Sequence, residues 1–206
     1  DLIRVGFMSA TLYGANLAGA YLYGANLTGA DLTGANLTRA NLTRADLSGS
    51  YVDAHLLGAV LDEANFTNAT GSPSADGASM HHTNFTGVNF LYADFPVAAW
   101  ESTAIWTGAR LPGVWFGDAE GFGPQEDVRG IDLSGVDLTG GRLFGADFGN
   151  AKFVGATLAG AYVRDSSFTG ADLSHADLTG ADTSNAVFTG AIWNDIRGTM
   201  NLQAQS

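Results

Sequence analysis

The sequence contains no cysteine, which excludes disulfide-stabilised scaffolds and thiolate chemistry. It has no uninterrupted apolar run of about 18 residues, the length of a membrane-spanning helix. Basic residues are scarce: 9 Lys and Arg stand against 21 Asp and Glu, which gives a formal net charge of -12. Such a surface repels nucleic acid and anionic membranes and attracts basic proteins.

Catalytic motifs are also lacking. The sequence shows no P-loop, Rossmann or nucleophile-elbow pattern. His55 and His175 occupy outward positions typical of solvated surface residues. His81 and His82 lie near Asp76, but adjacent residues of an extended chain point apart, and zinc needs three or four convergent ligands. We therefore expect no enzyme activity, no cofactor and no metal site.

What the chain has in abundance is a five-residue repeat. From Ala10 it reads ATLYG, ANLAG, AYLYG, ANLTG, ADLTG, with a small residue first, usually Asn or Asp second, and a bulky apolar residue third. We call the third position the centre. In the first stretch the centres are Leu12, Leu17, Leu22, Leu27, Leu32, Leu37, Leu42, Leu47 and Val52.

A period of five excludes an amphipathic α-helix, because five residues advance about 500° and spread the centres around the whole cylinder. On a straight strand, side chains alternate between faces, so an odd period would place successive centres on opposite faces. Keeping every centre inside requires one bend per unit, at the Gly or short polar residue that closes it. The pattern thus predicts an all-β solenoid with an apolar interior.

The unit (Ala)(Asn/Asp)(Leu/Phe)(Thr/Ser)(Gly/Arg) resembles the pentapeptide-repeat family. The resemblance implies a right-handed quadrilateral β-helix with one unit on each side of a turn, so that residues 20 positions apart stack. We expect one domain over residues 1–206 with about eight to nine coils. Two core columns are predicted, one of Phe148, Phe168 and Phe188 and one of Leu138, Leu158 and Leu178.

The repeat frame is interrupted at four places. Unit 50–53 is one residue short, and Ala54 restarts the frame with centres at Leu56, Leu61 and Phe66. Residues 70–82 and 117–129 are rich in Gly, Pro, Ser or acidic residues and predict two loops. Between the loops, with a one-residue insertion after Ile105, we expect centres at Phe85, Phe90, Phe95, Trp100, Ile105, Leu111 and Phe116.

After the second predicted loop, the frame holds from Gly130 to a last centre at Trp193. Residues 196–206 predict a short cap and a tail. At the other end, residues 1–9 fit the frame with no polar cap before them. An open end exposes an unpaired strand edge, so we expect either a cap beyond this segment or docking onto a partner.

Two groups of residues are candidates for partner binding. Trp106 and Trp115 fall on predicted outward positions and suggest a binding patch, unless the loops fold over them. Acidic residues in the loops and at outward positions could contact a basic partner, although Asp at a bend also bonds nearby backbone amides. These are Asp76, Glu120, Glu126, Asp127, Asp137 and Asp177.

The predicted function is a non-catalytic acidic scaffold for protein interactions. The alternative comes from the resemblance: the quinolone-resistance members of the family mimic DNA and bind DNA gyrase or topoisomerase IV. They dimerise end to end through an apolar C-terminal helix, whereas residues 196–206 (IRGTMNLQAQS) are short and polar, so an end-to-end homodimer stays open. Closely spaced Asn-x-Thr sequences, as at Asn36 and Asn41, favour a bacterial cytoplasmic protein.

Overall fold

The computed structural model describes residues 2–95, 103–115 and 126–198. The backbone is a coil whose successive turns are joined by parallel bridges between second-position residues, such as Thr11 with Asp31 and Asp31 with Tyr51. This register of 20 residues corresponds to one five-residue unit on each of four sides, as expected. One continuous column of bridges runs through Asn16, Asn36, His55, Ser74, Asp94, Trp115, Arg142, Tyr162 and Asp182.

The regular strands are only two residues long. They are β1 (Thr70–Gly71), β2 (Asn89–Phe90), β3 (Glu126–Asp127) and β4 (Ala146–Asp147), and β1 pairs with β2 and β3 with β4, both in parallel. Each side of the coil is short because a corner follows after a few residues. Within the described ranges there is no helix, and hence none long and apolar enough to cross a bilayer.

Backbone hydrogen bonds run mostly between coils. The Leu12 N–H donates to the Asp31 carbonyl (2.8 Å), and the Asp31 N–H donates back to the Ala10 carbonyl (2.9 Å). At the corner, the Ala15 N–H donates to the Leu12 carbonyl (3.0 Å) within one coil. A coil therefore satisfies its buried backbone groups only when it stacks on its neighbours.

Two features of each unit form the corner. The second-position side chain accepts a hydrogen bond from the backbone two residues later, as in the 3.0 Å bond from the Thr38 N–H to Asn36 Oδ1. This Asx turn explains the preference for Asn and Asp at that position. The fifth position adopts left-handed backbone, with φ of 61° at Gly14 and 59° at Arg44, which favours glycine there.

The core is a stack of centres and first-position alanines. Leu138, Leu158, Leu178 and the centres around them are essentially solvent-free. The rings of Phe148 and Phe168 stack with centroids 5.1 Å apart, and those of Phe168 and Phe188 follow at 5.0 Å. The 20-residue spacing of these phenylalanines therefore corresponds to direct contact along the coil axis.

Residues 70–82 do not form the expected loop. Ser74 bridges His55 and Asp94, and Ser79 bridges Val60, so both lie in the coil wall. Ala75 and Met80 are buried at the centre positions. The sequence concealed this because the centres here are small or flexible side chains instead of Leu or Phe.

A second short unit lies at 69–72, directly above the short unit 50–53. Tyr51 bridges Thr70, and four residues later His55 bridges Ser74, so both coils omit one residue at the same corner. Gly71 occupies the centre there with φ of 128°, and a Cβ on it would lie 2.4 Å from the Val52 carbonyl oxygen. The shortened corner thus leaves no room for a side chain.

The predicted roles of Ile105 and Trp106 are reversed. Ile105 bridges Asn84 and is 48% exposed, whereas Trp106 is 1% exposed and stacks on Phe85. The extra residue therefore lies between Phe95 and Trp106, not after Ile105. Trp106 is a core residue and cannot belong to a surface patch.

The repeat extends beyond the limits expected for the last section. Within the predicted loop 117–129, Val128 is buried as a centre. Arg197 bridges Asp177, so the ladder continues into the predicted tail. The expected centres Trp100 and Phe116 lie outside the described residues. The single domain and the number of coils stay predictions.

Candidate interaction surface

Asp137 and Asp177 lie on the same side of the coil. Thr157 stands between them in the column of bridges, and Arg110 and Arg197 occupy the places before and after. The Arg110 guanidinium approaches the Asp137 carboxylate to 3.6 Å at an exposed position. The column therefore presents two carboxylates separated by a neutral hydroxyl, with a cation at each end.

The outward aspartates are held in fixed orientations by the corners. Asp177 Oδ1 accepts the Thr179 N–H at 2.9 Å, and Asp137 Oδ1 accepts the Thr139 amide (3.1 Å) and hydroxyl (2.6 Å). Hydrogen bonding to Thr179 lowers the pKa of Asp177. The negative charge is therefore present at neutral pH and its position is set by the backbone.

The acidic residues do not concentrate on one side. Asp132, Asp147 and Asp182 lie on the three sides that Asp137 and Asp177 do not occupy. Two of them face cations: Lys152 Nζ lies 3.4 Å from Asp132, and Arg129 Nε lies 3.9 Å from Asp147. The outer surface is thus acidic all round, with ion pairs interspersed.

Asp76 is exposed at a corner, next to an acid that the sequence did not single out. Burial raises the pKa of Asp94, and the neighbouring charge of Asp76 raises it further. The signal that could have revealed this pair was the frame through 70–82, which brings the two residues onto adjacent coils. Two neighbouring carboxylates favour contact with a cationic group.

Asp62, Ser79 and His81 form a cluster at another corner. The Ser79 hydroxyl donates to Asp62 Oδ1, and His81 Nδ1 lies 3.0 Å from the same oxygen and 2.9 Å from Ser79 Oγ. In a nucleophilic triad the serine would bond to one ring nitrogen and the carboxylate to the other. Here both meet Nδ1, so the arrangement orders the corner and does not activate the serine.

Arg44 makes a two-pronged ion pair with Glu63, at 2.7 Å from Nε to Oε2 and 3.1 Å from Nη2 to Oε1. Its Nη1 donates to the Tyr23 hydroxyl at 2.7 Å. Hydrogen bonding to Arg44 lowers the pKa of Glu63. This exposed network links three successive coils along one corner.

Trp115 lies on the surface, half-buried, and carries Arg142 on its ring at 4.6 Å from centroid to Cζ. Of the other predicted binding residues, Glu120 lies outside the described residues. Glu126 and Asp127 form β3.

The described part of the chain shows no metal centre at its histidines. His55 is exposed, and the exposed His175 lies 3.8 Å from Asp195. In residues 2–95, 103–115 and 126–198, no three His, Asp or Glu side chains converge in a way that could hold a metal ion.

Comparison with solved structures gives pentapeptide-repeat proteins at low TM-scores. HetL from the cyanobacterium Nostoc sp. strain PCC 7120, a protein involved in heterocyst differentiation regulation, is 25% identical with a TM-score of 0.29, covering 93% of this chain and 88% of its own. QnrB1, a plasmid-mediated fluoroquinolone resistance protein, is 15% identical with a TM-score of 0.33, covering 91% and 92%.

A pentapeptide repeat protein of the Arabidopsis thaliana thylakoid lumen is 34% identical over 42% of this chain and 59% of its own, with a TM-score of 0.21. Curated protein sequences give no significant match.

The family model for pentapeptide repeats matches eight copies over residues 10–50, 131–170 and 166–192, together half of the chain. The matched stretches are those in which the five-residue frame is most regular. The chain belongs to the pentapeptide-repeat family, and its four-sided coil is the right-handed β-helix of that family.

Proposed function

We propose that this protein is a non-catalytic scaffold that binds basic surfaces of other proteins through its outward aspartates. The observation that carries the proposal is the column of Asp137, Thr157 and Asp177. Its carboxylates project from a rigid ladder, and hydrogen bonds from the following corner hold them in place. Few rotamers remain to be frozen when a partner binds, which reduces the entropic cost of association.

The overall charge supports the same function. A net charge of -12 attracts a basic partner over long distances and accelerates encounter. Fixed charges then select the partner whose cations match the spacing of the column. This mechanism needs no bond to be made or broken.

The test uses a fluorescein-labelled peptide of alternating Lys and Gly and measures binding by fluorescence anisotropy. We expect the double variant Asp137→Asn/Asp177→Asn to weaken binding about three- to tenfold, because each lost charge contact is worth roughly 1 kcal/mol or less. Asn keeps the Asx hydrogen bond, as Asn36 shows, so the fold is retained.

The matched control is Asp165→Asn/Asp182→Asn, which removes the same charge from another part of the coil. It should change affinity less than twofold. Equal losses in the two double variants, or no binding by the unaltered protein, would contradict a specific role of the Asp137–Asp177 column.

A second candidate function is DNA mimicry directed at a type II topoisomerase. It is favoured by the anionic rod with acids on all four sides, because a duplex also presents charge all round. The ion pairs at Asp132, Asp137 and Asp147 weaken this likeness. A supercoiling assay with purified DNA gyrase distinguishes the two: mimicry requires inhibition or relief from quinolone poisoning at micromolar protein, and a general scaffold gives neither.

A bacterial cytoplasmic location is part of the proposal. Asn26 and Asn65 begin Asn-x-Thr sequences, and their side-chain oxygens accept the amides of Thr28 (3.0 Å) and Thr67 (3.1 Å). A glycan is attached through Nδ2, and Asn65 Nδ2 donates to Asp46 Oδ1 (3.1 Å) on the neighbouring coil, so a glycan on Asn65 would disturb that contact. Cell fractionation of the native host with a specific antibody tests the location.

A further inference from the structure

On one side of the coil, a short stretch between Asp94 and Asp182 carries arginine and aromatic side chains instead of acids. Trp115, Arg142 and Tyr162 follow one another in a column of bridges, and Phe144 and Arg164 lie at the corner beside it. We call these five residues the Arg–aromatic stripe. Tyr162 is 48% exposed, and both arginines are exposed.

Both arginines of the stripe stack on aromatic rings. The Arg142 Cζ lies 4.6 Å from the Trp115 ring centroid, and the Arg164 Cζ lies 5.2 Å from that of Phe144. Stacking of this kind immobilises the planar guanidinium and leaves the N–H groups at its edge available. The long side chains are thus ordered before any partner arrives.

Neither Arg142 nor Arg164 forms an ion pair with any residue that the structure describes, although the chain has 21 acidic residues. Arg110 and Lys152, by contrast, each face an aspartate. The nearest acids along the column are Asp94 and Asp182. Asp182 accepts hydrogen bonds from the Ser184 amide (3.1 Å) and hydroxyl (2.6 Å), and the charge of Arg164 contributes to lowering the pKa of Asp182. Neither guanidinium donates a hydrogen bond to an acid in the described part of the chain, so the N–H groups of both can bind an external anion.

We propose that the Arg–aromatic stripe binds an acidic, extended segment of a partner protein, with Arg142 and Arg164 each holding a carboxylate. A carboxylate matches the two parallel N–H groups of a guanidinium. Tyr, Trp and Arg are also the residues enriched in protein–protein contacts. A nucleic acid is disfavoured, because the net charge of -12 repels a polyanion whose charge continues past the stripe.

The probe is a fluorescein-labelled decapeptide of Glu with one central Phe, titrated with the full chain by fluorescence anisotropy. Its Gln counterpart and a single-stranded oligonucleotide serve as comparison ligands. We expect the Glu peptide to bind at least about tenfold more tightly than the Gln peptide, and more tightly than the oligonucleotide. Equal binding of the two peptides, or tighter binding of the oligonucleotide, overturns the proposal.

Charge reversal locates the site. Arg142→Glu/Arg164→Glu is expected to weaken binding of the Glu peptide by about tenfold or more. The control is Arg39→Glu/Arg197→Glu, which makes the same change in net charge outside the stripe and should reduce affinity less than threefold. If the two double variants lose the same affinity for the Glu peptide, binding depends only on net charge and the stripe is not the site.

The aromatic platform has its own test. Trp115→Ala is expected to weaken binding about threefold or more, because Arg142 loses the ring that orders it, whereas Trp115→Phe keeps a ring and most of the affinity. Circular dichroism verifies that each variant is folded. A folded Trp115→Ala protein that binds as tightly as Trp115→Phe overturns the role of stacking.

Discussion

The indole of Trp106 lies flat on the phenyl ring of Phe85, with ring centroids 4.2 Å apart and planes 8° from parallel. Both side chains are at most 1% exposed. The contact joins one coil to the next across the part of the chain in which coil length changes. It therefore couples the regular first coils to the section that follows.

Trp106→Ala is expected to destabilise the fold by about 3–5 kcal/mol, through lost burial and the cavity that remains. Urea unfolding followed by circular dichroism measures the loss. Trp115→Ala is the comparison. Because Trp115 is only half-buried, its replacement should lower the free energy of unfolding clearly less. Equal losses at the two positions would contradict the assignment of Trp106 to the core.

The sequence predicted the solenoid because its evidence is periodic. Every regular unit independently predicts a buried centre and a bend, so a wrong assignment in one unit does not change the predicted fold. The predictions for single units depended on bulky centres. Where Gly71 or Ala75 takes that place, the frame continues without the apolar side chain that would reveal it.

The Arg–aromatic stripe could not be found in the sequence for a different reason. Trp115 and Arg142 are 27 residues apart and meet only because the intervening chain completes a turn. That distance depends on an insertion whose place the repeat does not specify. The predicted burial of Ile105 and Trp106 was wrong for the same reason. Placing the one-residue insertion after Ile105 instead of before it shifts the frame by one residue, which interchanges inward and outward positions.

Gly71→Ala is expected to be strongly destabilising, by more than about 1 kcal/mol, because the new methyl group would meet the Val52 carbonyl. Thermal unfolding measures the effect. Gly49→Ala is the control: its φ of 62° is also left-handed, but nothing lies within 4 Å of the added carbon. The control should lose only about 1 kcal/mol, the cost of left-handed backbone at a non-glycine residue, and an equal loss at Gly71 would show that the corner has room.

Acid is expected to destabilise the protein through the corner aspartates. Hydrogen bonding to the following Ser or Thr lowers the pKa of Asp31, Asp172, Asp177 and Asp182 in the folded state. The stability from these bonds is fully present above the ordinary carboxyl pKa of about 4 and is lost as pH falls through the lowered values. Melting temperature measured from neutral pH downward should therefore be level at first and then drop.

Replacing these four aspartates with Asn should flatten the acid-side drop, since Asn keeps the Asx bond and does not titrate in this range. The melting temperature at neutral pH should be preserved. A quadruple variant with the same acid-side slope as the original protein would assign acid sensitivity to other groups.

His81→Ala is expected to raise the pKa of Asp62. Burial acts to raise that pKa, but hydrogen bonds from Ser79 and His81 outweigh it and hold the value below normal. Removing His81 takes away part of the lowering, so the carboxyl should titrate nearer its ordinary pKa of about 4. NMR titration of the Asp62 side-chain carbon measures the change.

Ser79→Ala should shift the Asp62 titration in the same direction as His81→Ala, because Ser79 donates to the same oxygen. His55→Ala provides the control, since His55 is exposed and on another side of the coil. An Asp62 titration that responds to His55 as much as to His81 would argue against the cluster.

The paired short units at 50–53 and 69–72 bear on how such a chain can change length during evolution. A coil that is one residue short favours the same shortening in the coil stacked on it, because the backbone groups of each coil bond to those one turn away. A single-residue deletion is therefore tolerated where the neighbouring coil has the same deletion or adjusts its own corner. Gain or loss of a complete turn keeps every ladder aligned, so proteins of this kind are free to grow and shrink mainly in whole turns.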